Sequence, residues 1–440
     1  MKKNAKNLLD ILNVEGISKT DILELAMKTR FMKRKPKKID PYNFINLFCA
    51  LAVMDTPSFN SIAARYSTDY SSIASKQAIS KKINAECLDF FKSILALIIK
   101  TKFSRKETET MLFFNLYNRV LVQDSTIIKL PLRLFAIFSG VKNAKTSTCN
   151  ARIQGVYDLI SGSFLSFSID PYSINDITTA PQLDVLKGDI TLRDRGYFSI
   201  DEIQRHIDAK ADCIYRYRTK TILINPKTGE HINLYKLLKK KRYLDMEVCL
   251  NNVRHTKVRL VAVPVSEDIV SRRRANAKKN FNRHNPSKEV LELMSWTIFI
   301  TTIPKEKASF DNILALYSLR WRVEVIFKAW KSYAAFGKIH DISENHLRIM
   351  LTARFIMIVL YTHYVFLPWS HIIRSKFKRE MSLLKLYCFL TKNVEQIVML
   401  IDSLSNNNFN TAGKTLIKYC TYDKRIRLNF MQIYEIVALS

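Results

Sequence analysis

The chain is short of acidic residues. Its 440 residues include 39 Asp and Glu against 70 Lys and Arg, which gives a net charge of +31. The basic excess is spread along the whole sequence, and self-repulsion of this size opposes compaction. The simplest explanation is a polyanionic partner that contacts several regions, and nucleic acid fits this pattern better than a membrane surface. Because 48% of the residues are hydrophobic, the chain is no disordered tail and has material for two or three domains.

Closely spaced cysteines are also absent. The seven cysteines lie far apart, without a CxxC pair and without histidine at zinc-site spacing. This spacing argues against structural zinc and against a disulfide framework. It predicts reduced thiols of the kind that cytosolic proteins carry.

No segment has the pattern of a secretory signal or a membrane helix. The first residues, MKKNAKNLLDILNVEG, are basic but contain no apolar core of signal-peptide length. The longest apolar stretch, 355–369, includes Thr362 and His363 and is shorter than the ~20 residues that span a bilayer. We therefore expect a cytoplasmic protein without a membrane partner, and we interpret this stretch as a buried helix.

Residues 1–110 are predicted to form a helical, DNA-binding region, because apolar and basic residues alternate there at helical spacing. Within it, 59–66 and 75–83 have the pattern of two short helices joined by a turn rich in Ser, Thr and Asp. The second helix carries Lys, Gln and Ser on its polar side. This pattern is compatible with a helix-turn-helix, and at least equally with two helices of a structural bundle.

From about residue 115 the apolar pattern changes to the two-residue period of strands. The β-prone runs are 119–124, 151–159, 163–169 and 189–192. Strands followed by helices predict an α/β or α+β core, formed by 111–208 and 304–345. Further strand-like runs predict a β-rich insertion at 209–303, and helical spacing returns in a C-terminal region, 346–440.

Asp124 lies within an apolar, strand-like run, on the same face as Val120 and Val122. Burying a carboxylate without compensation costs several kcal/mol or shifts its pKa. We therefore expect Asp124 at a strand end or beside a cation. The alternative is that it caps a turn formed by Ser125 and Thr126, and for this residue alone that alternative is favoured.

Asp194 follows the next short strand and opens the sequence Asp194-Arg195-Gly196-Tyr197, just before a predicted helix at 199–206. A carboxylate at the carboxyl end of a strand faces the crevice in which α/β sheets bind their ligands. The alternative is an Asp that simply pairs with Arg193 or Arg195.

A polar stripe on the predicted helix 312–331 is the third feature. Tyr317, Arg320, Glu324 and Lys331 lie at offsets 0, 3, 7 and 14, which places them within roughly 60° of one another on a helix with about 100° per residue. Apolar residues occupy another side of the same helix. The alternative is a solvated face in which Arg320 and Glu324 form an ordinary i,i+4 pair.

Together, Asp124, Asp194 and Glu324 are the kind of set that two-metal phosphoryl transfer requires. Hard divalent cations need oxygen ligands, and a pair of such ions stabilises the attacking and leaving oxygens of an in-line displacement. Nearby cations, namely Arg320, Lys328 and Lys331, would then hold phosphates of the substrate.

These motifs resemble those of a known family. The spacing Tyr317-x2-Arg320-x3-Glu324-x6-Lys331 is similar to the Y-R-E-K signature of the bacterial insertion-sequence-four family of DDE transposases, to which the transposase of transposon Tn-five also belongs. Asp124, in Val-Gln-Asp-Ser-Thr, and Asp194, in Asp-Arg-Gly-Tyr, match the first and second acidic motifs of that family, in the same order. The resemblance extends from about residue 115 to 335.

The resemblance implies an RNase H-like fold with a β insertion between the second Asp and the Glu. It implies that Asp124, Asp194 and Glu324 bind two Mg²⁺ ions, which Mn²⁺ can replace. It also implies cut-and-paste transposition, in which the ends of the element are cut, pass through a DNA hairpin and are joined to target DNA.

The same resemblance implies roles for side chains that contact DNA. Tyr317, Arg320 and Lys331 would contact phosphates near the transposon end, and Lys328 lies beside them. Trp296, at the start of the last predicted strand of the insertion, matches a tryptophan that stacks on a flipped base in a relative. A core tryptophan is nearly as good an interpretation.

The implied partners are double-stranded DNA, as terminal inverted repeats and as target, and a second copy of the chain in a homodimer on DNA. In this interpretation the protein acts on DNA of the bacterial nucleoid. Two other functions use the same residues: a metal-dependent nuclease of the same fold without strand transfer, and an inactive, transposase-derived DNA-binding protein. A basic helical scaffold would explain the charge but neither the polar stripe nor the two Asp motifs.

Overall fold

The computed structural model of the chain describes residues 17–34, 36, 38–53, 57–104, 117–140, 148–180, 183–239, 241–280, 286–392, 396–406 and 408–422. A mixed sheet with helices packed around it forms the centre of the molecule.

Helices precede the sheet, as the basic helical spacing predicts. They are α1 (Lys19–Lys28), α2 (Pro41–Ala52), α3 (Phe59–Tyr70), α4 (Lys76–Lys82) and α5 (Ala85–Ser104). The first four begin after a Ser or Asp whose side chain accepts a backbone N–H, which satisfies one of the unpaired donors of the first turn. The two helices predicted from 59–66 and 75–83 are therefore present as α3 and α4, although α3 continues to Tyr70 and shortens the turn.

Nine strands form one sheet in the described part of the chain. They are β1 (Arg119–Lys129), β2 (Asn150–Asp158), β3 (Ser163–Pro171), β4 (Asp189–Arg193), β5 (Asp212–Arg216), β6 (Leu223–Ile224), β7 (Leu244–Leu250), β8 (Lys257–Pro264) and β9 (Trp296–Thr301). Their order is β3-β2-β1-β4-β5-β9-β8-β7-β6. β1, β4 and β5 are parallel to one another, whereas β2 and β3 form an antiparallel meander with β1. An order of 3-2-1-4-5 with this direction of strands is the RNase H-like arrangement, so the predicted fold class is confirmed.

The predicted insertion, 209–303, contains β5 to β9, and these strands continue the same sheet. β9 pairs antiparallel with β5, and β8 pairs with β9. Because β5 also pairs with β4, no break in the sheet marks the beginning of the insertion. The boundaries of the four predicted regions stay a prediction.

Helices between the strands are α6 (Asp176–Thr179), α7 (Ile200–Asp208), α8 (Leu234–Leu238), α9 (Glu267–Asn280) and α10 (Lys288–Leu293). Those that follow the sheet are α11 (Phe310–Ser318), α12 (Trp321–Tyr333), α13 (Glu344–Tyr361), α14 (Leu367–Phe377), α15 (Leu383–Lys392), α16 (Gln396–Ser405) and α17 (Asn410–Cys420). A π-helical segment, Thr362–Phe366, joins α13 to α14.

This continuous helix, Glu344–Phe377, is long and apolar enough to cross a membrane by length and composition. However, 89% of its most apolar stretch is buried inside the protein. It packs against α2 and α5, and Arg354 donates from Nε to the carbonyl oxygen of Ala52 at 2.7 Å. The prediction of a buried helix at 355–369 is confirmed, and the N-terminal and C-terminal helices share one hydrophobic core. All seven cysteines are free thiols, also as predicted.

Candidate active site

Asp124 lies in the middle of β1, not at a strand end and not in a turn. Ser125 and Thr126 continue the strand and pair with Gln154 and Ile153 of β2, so the expected strand end and the expected turn cap were both wrong. The expected cation is present, because the Arg320 guanidinium lies 2.8 Å from Asp124 Oδ2. The error has a simple cause: the polar residues after Asp124 end the apolar run without ending the strand. The backbone N–H of Ser125 donates to Asp124 Oδ1 at 2.8 Å.

Asp194 lies directly after β4, as predicted, and caps the short 3-10 turn Arg195–Tyr197. β1 and β4 are parallel, with Gln123 beside Arg193, so one further step of this register brings Asp124 beside Asp194. Arg193 does not neutralise Asp194, because its guanidinium donates to Glu202 at 3.0 Å and to the Tyr215 hydroxyl at 3.1 Å.

Glu324 reaches the site from α12, but the predicted helix 312–331 is not continuous. It tightens between α11 and α12, where Arg320 N–H bonds the Tyr317 carbonyl at 3.1 Å and Arg322 N–H bonds the Leu319 carbonyl at 3.1 Å. These are three-residue hydrogen bonds of the 3-10 type. Helical periodicity cannot show such a change, because the apolar spacing is almost the same on both sides of it.

The polar stripe faces the two aspartates. The Tyr317 hydroxyl donates to Asp194 Oδ1 at 3.4 Å. Arg320 donates from one terminal nitrogen to Asp124 Oδ2 at 2.8 Å and from the other to Glu324 Oε1 at 2.6 Å. The i,i+4 pair between Arg320 and Glu324 therefore exists, yet it is no solvated face, since the Arg320 side chain is 8% exposed and bridges two carboxylates.

The electrostatics of Asp124 show that its negative charge is poorly compensated. Burial raises the pKa of Asp124 to about 6. The Arg320 guanidinium and the Ser125 N–H oppose this shift, and the carboxylates of Glu324 and Asp194 add to it. A carboxyl group held near neutrality by burial and by like charges is typical of a site that binds cations.

An open cleft of about 480 Å³ lies beside Asp124 and Glu324. Its walls are Asp124, Ser125, Thr126, Glu324, Phe327, Lys328, Lys331 and Ser332. Lys328 and Lys331 are exposed and make no ion pair within the described residues. A cleft lined by both carboxylates and ammonium groups can accept an anionic chain that approaches a bound cation.

Trp296 lies at the beginning of β9, at the edge of the sheet to which the carboxyl ends of β4 and β5 point. It is half-buried and packs against the apolar cluster under β7 to β9. The Arg273 guanidinium donates to its carbonyl oxygen at 2.9 Å. One strand, β5, lies between its own strand, β9, and the Asp194 strand, β4, so both a base-stacking and a core interpretation remain compatible with its position.

Trp321 belongs to the site and was missed in the sequence. Its side chain is 61% exposed, although tryptophan is usually covered. The Arg320 guanidinium lies 5.7 Å from the centre of its ring. The sequence contains a sign of this exposure: Val323, Ile326 and Trp330 form the apolar side of α12, and Trp321 lies outside that side.

The chemistry of the donor set fits a divalent metal ion, because the carboxylates of Asp124, Asp194 and Glu324 could supply hard oxygen ligands. Their present positions do not form a closed binding site: within the described ranges, no three His, Cys, Asp or Glu side chains are close enough to hold a metal ion. The Arg320 guanidinium stands between Asp124 and Glu324.

An RNase H-like sheet with carboxylates on its first and fourth strands and on a following helix defines a class of nucleic-acid phosphoryl transferases. Residues 118–360 match the family described as Transposase DDE domain. Because this match covers more than half of the sequence, the chain belongs to the DDE transposase family.

Its relatives agree with this assignment. The chain is 25% identical over 386 residues to the transposase for insertion sequence element IS231B of Bacillus thuringiensis subsp. berliner, covering 82% of this chain and 80% of that protein. It is 26% identical over 415 residues to the transposase for insertion sequence element IS1151 of Clostridium perfringens, covering 88% and 86%. Among solved structures, it is similar to a piggyBac transposase in a synaptic complex with hairpin DNA, with 12% identity, a TM-score of 0.40 and coverage of 93% of this chain and 83% of that one.

Proposed function

We propose that this protein is the transposase of a bacterial insertion sequence and that Tyr317, Arg320, Glu324 and Lys331 are its Y-R-E-K signature. It acts in the cytoplasm on nucleoid DNA, where it cuts the ends of its element and joins them to target DNA. One observation carries the proposal: Arg320 joins Asp124 to Glu324, while Tyr317 contacts Asp194. These contacts connect the three proposed ligands with Tyr317 and Arg320 of the signature.

In this proposal Asp124, Asp194 and Glu324 hold two Mg²⁺ ions, for which Mn²⁺ can substitute. The ions supply charge stabilisation for the attacking and leaving oxygens of phosphoryl transfer. The chain itself would orient the three carboxylates, and partial burial raises the pKa of Asp124 to about 6.

The reaction consists of successive in-line displacements at phosphorus. Water attacks the phosphodiester at the element end and releases a 3′-hydroxyl. This hydroxyl attacks the opposite strand, which closes a hairpin on the element and releases the flanking DNA with its own 3′-hydroxyl. A second water opens the hairpin, and the regenerated 3′-hydroxyl attacks a phosphodiester of target DNA and displaces a 3′-hydroxyl of the target strand.

The cations around the cleft would hold the DNA during these steps. Lys328 and Lys331 are placed to contact phosphates, because they are exposed at the cleft that Asp124 and Glu324 line. Tyr317 and Arg320 would contact the phosphate nearest the metal ions. Trp321, whose exposed ring lies beside Arg320, or Trp296 at the start of β9 would stack on a base that leaves the double helix during hairpin formation.

Terminal inverted repeats and target DNA are the proposed DNA partners, and a homodimer on DNA is the proposed working form, because both ends of the element must be cut together. The N-terminal helices would recognise the repeats through α3 and α4, whose connecting turn and polar side support a helix-turn-helix. Sedimentation of the protein with and without repeat DNA tests the dimer, and a monomer in both conditions would contradict it.

The decisive experiment is cleavage of a linear DNA that carries the inverted repeats flanking the gene, with and without Mg²⁺, resolved on a denaturing gel. We expect nicks and hairpins at the repeat ends only with metal. Glu324→Ala should reduce them to the level without metal while leaving DNA binding intact, because it removes one carboxylate ligand.

Glu344→Ala is the matched control. Glu344 accepts a hydrogen bond from Arg348 at 2.8 Å in another i,i+4 pair, outside the cleft, so its loss should leave cleavage unchanged. Cleavage without hairpins or strand transfer would favour a nuclease of the same fold. Tight binding without cleavage under any divalent metal would favour a DNA-binding relic.

A further inference from the structure

A short segment between β3 and β4 contacts the two motifs that carry the aspartates. At its first helical residue, Asp176 Oδ1 accepts a hydrogen bond from the Ser125 hydroxyl at 2.9 Å. Ser125 is the residue whose N–H holds Asp124. The segment therefore reaches the first acidic motif through a single side chain.

Arg152 of β2 holds this segment in place through its guanidinium group. Its Nε lies 2.8 Å from Asp176 Oδ1 as an ion pair, and its side chain is only 7% exposed. Its guanidinium also donates to the Ile174 carbonyl and lies 4.9 Å from the centre of the Tyr172 ring. Asp176 is thus the counter-charge of a buried cation, which restricts where its carboxylate can go.

The other end of α6 is tied to the second acidic motif. Gln154, two residues after Arg152 on β2, donates from Nε2 to the Thr179 hydroxyl at 2.6 Å. Its Oε1 accepts a hydrogen bond from the Tyr197 hydroxyl at 3.0 Å. Tyr197 is the fourth residue of the sequence that begins with Asp194, and both Gln154 and Tyr197 are buried.

We propose that Asp176 is a positioning residue of the catalytic site: with Arg152 and Gln154 it links the strand of Asp124 to the turn of Asp194 and fixes the separation of these two carboxylates. This inference rests on the proposed function, since it assumes that both aspartates bind divalent metal. Partners that orient metal ligands commonly change metal affinity by about 10- to 100-fold. Asp176 acts through Ser125 and contacts neither DNA nor metal.

The test is Mn²⁺ binding to the full-length protein without DNA, followed by the EPR signal of free Mn²⁺. Asp176→Asn keeps the shape and an acceptor oxygen but removes the charge that balances Arg152. Ser125→Ala removes the hydroxyl between Asp176 and Asp124. We expect each variant to bind Mn²⁺ roughly tenfold more weakly, and cleavage to need correspondingly more metal while approaching the wild-type rate at saturation.

Asp208→Asn is the matched control, because Asp208 pairs with Arg254 at 3.0 Å on the exposed surface, and it should bind Mn²⁺ as the wild type does. Since both variants interrupt the same connection, the double variant should be no weaker than the weaker single one. If Asp176→Asn does not fold, as judged by circular dichroism, Ser125→Ala carries the test alone.

Unchanged Mn²⁺ affinity in the folded variants would overturn the inference while leaving the proposed function intact. Additive losses in the double variant would also overturn it, because they would mean that Asp176 and Ser125 act separately. A wild-type protein that neither binds Mn²⁺ nor cleaves repeat DNA would instead contradict the proposed function itself.

Discussion

Arg320 determines how available the carboxylates of the site are to a metal ion. Its guanidinium compensates part of the charge of Asp124 and Glu324 in the absence of metal, so a divalent ion must compete with it for the same oxygens. The same side chain is also the proposed phosphate contact. Arg320 can serve both purposes only one after the other: it first binds the carboxylates and then contacts a phosphate of the DNA.

Arg320→Ala should therefore separate metal binding from catalysis. At pH 8, above the pKa of Asp124, we expect DNA-free Mn²⁺ binding to tighten several-fold, because no internal cation has to be displaced. Cleavage of repeat DNA should fall, because the phosphate contact is lost. Arg320→Lys keeps the positive charge but cannot bind two carboxylates at once as the guanidinium does. Its Mn²⁺ affinity and its cleavage rate should lie between those of the wild type and Arg320→Ala. Weaker Mn²⁺ binding by Arg320→Ala than by the wild type would contradict this account.

The individual site residues were largely predictable, but their partners were not. Asp124, Asp194 and Glu324 stand in recognisable motifs, and periodicity placed Tyr317 and Arg320 on the side of Glu324. The contact between Arg320 and Asp124 joins residues 196 positions apart. It depends on how α12 packs against β1, and nothing in either local pattern specifies that packing.

At the scale of elements, the site depends on how closely α12 can approach the sheet. Gly155 is the β2 partner of Asp124, and a Cβ atom there would lie 2.9 Å from the Phe164 ring and 3.7 Å from Phe327 of α12. Phe164 in turn contacts Trp330, with ring centres 4.8 Å apart. The absence of a side chain at this position therefore allows the helix that carries Glu324 to pack beside Asp124.

Gly155→Ala should destabilise the protein by about 1 to 3 kcal/mol, because an added methyl group overpacks an aromatic core. Urea unfolding, followed by tryptophan fluorescence, measures this change. Gly196→Ala is the control: its added Cβ would meet nothing within 4 Å, so its midpoint should stay close to that of the wild type. If both substitutions changed the free energy of unfolding equally, the change would come from backbone flexibility and not from packing.

The elements also show where sequence patterns stop being informative. Short β-prone runs located the beginnings of β1 to β4 to within one residue, because buried strands are rich in apolar residues and are bounded by polar turns. The same criterion ended β1 five residues early, since the polar residues Asp124, Ser125 and Thr126 interrupt the apolar run. The 3-10 junction between α11 and α12 was invisible for a similar reason: its cause is tertiary packing.

At the scale of the whole molecule, buried histidines couple stability to pH. Burial lowers the pKa of His206 to about 4, and it does the same for His346. His206 donates from Nδ1 to the Glu202 carbonyl at 2.7 Å, and its Nε2 lies 2.9 Å from the Thr191 hydroxyl. The neutral ring satisfies both contacts, because a carbonyl can only accept and a hydroxyl can donate.

The folded state should therefore lose stability as the solution is acidified. Below pH 6.5 the unfolded chain takes up protons on these histidines while the folded protein does not, so the free energy of unfolding falls until about pH 4. The loss is roughly 3 kcal/mol per histidine. His206→Gln should show a shallower dependence of the free energy of unfolding on pH in urea titrations at pH 4.5 to 6.5. His231→Gln, at an exposed position, is the control and should keep the wild-type slope. Parallel slopes for all three proteins would contradict this mechanism.

The charge and class of the whole molecule were evident from composition and motif, because both are properties of the sequence itself. The assembly of the helices was not. Nothing in the N-terminal pattern indicated that α2 and α5 cover α13, since any apolar helical face could pack against them. Shape complementarity over many side chains decides such pairings, and it exists only in the folded chain.

This arrangement has a consequence for damaged copies of the gene. A shortened reading frame that began after α5 would still encode all three acidic residues and the whole polar stripe. Its product would lack the cover of α13, and a broad apolar surface would face water. We expect such a product to aggregate or to be degraded, so that decay of the gene from its 5′ end silences the element before any catalytic residue is lost.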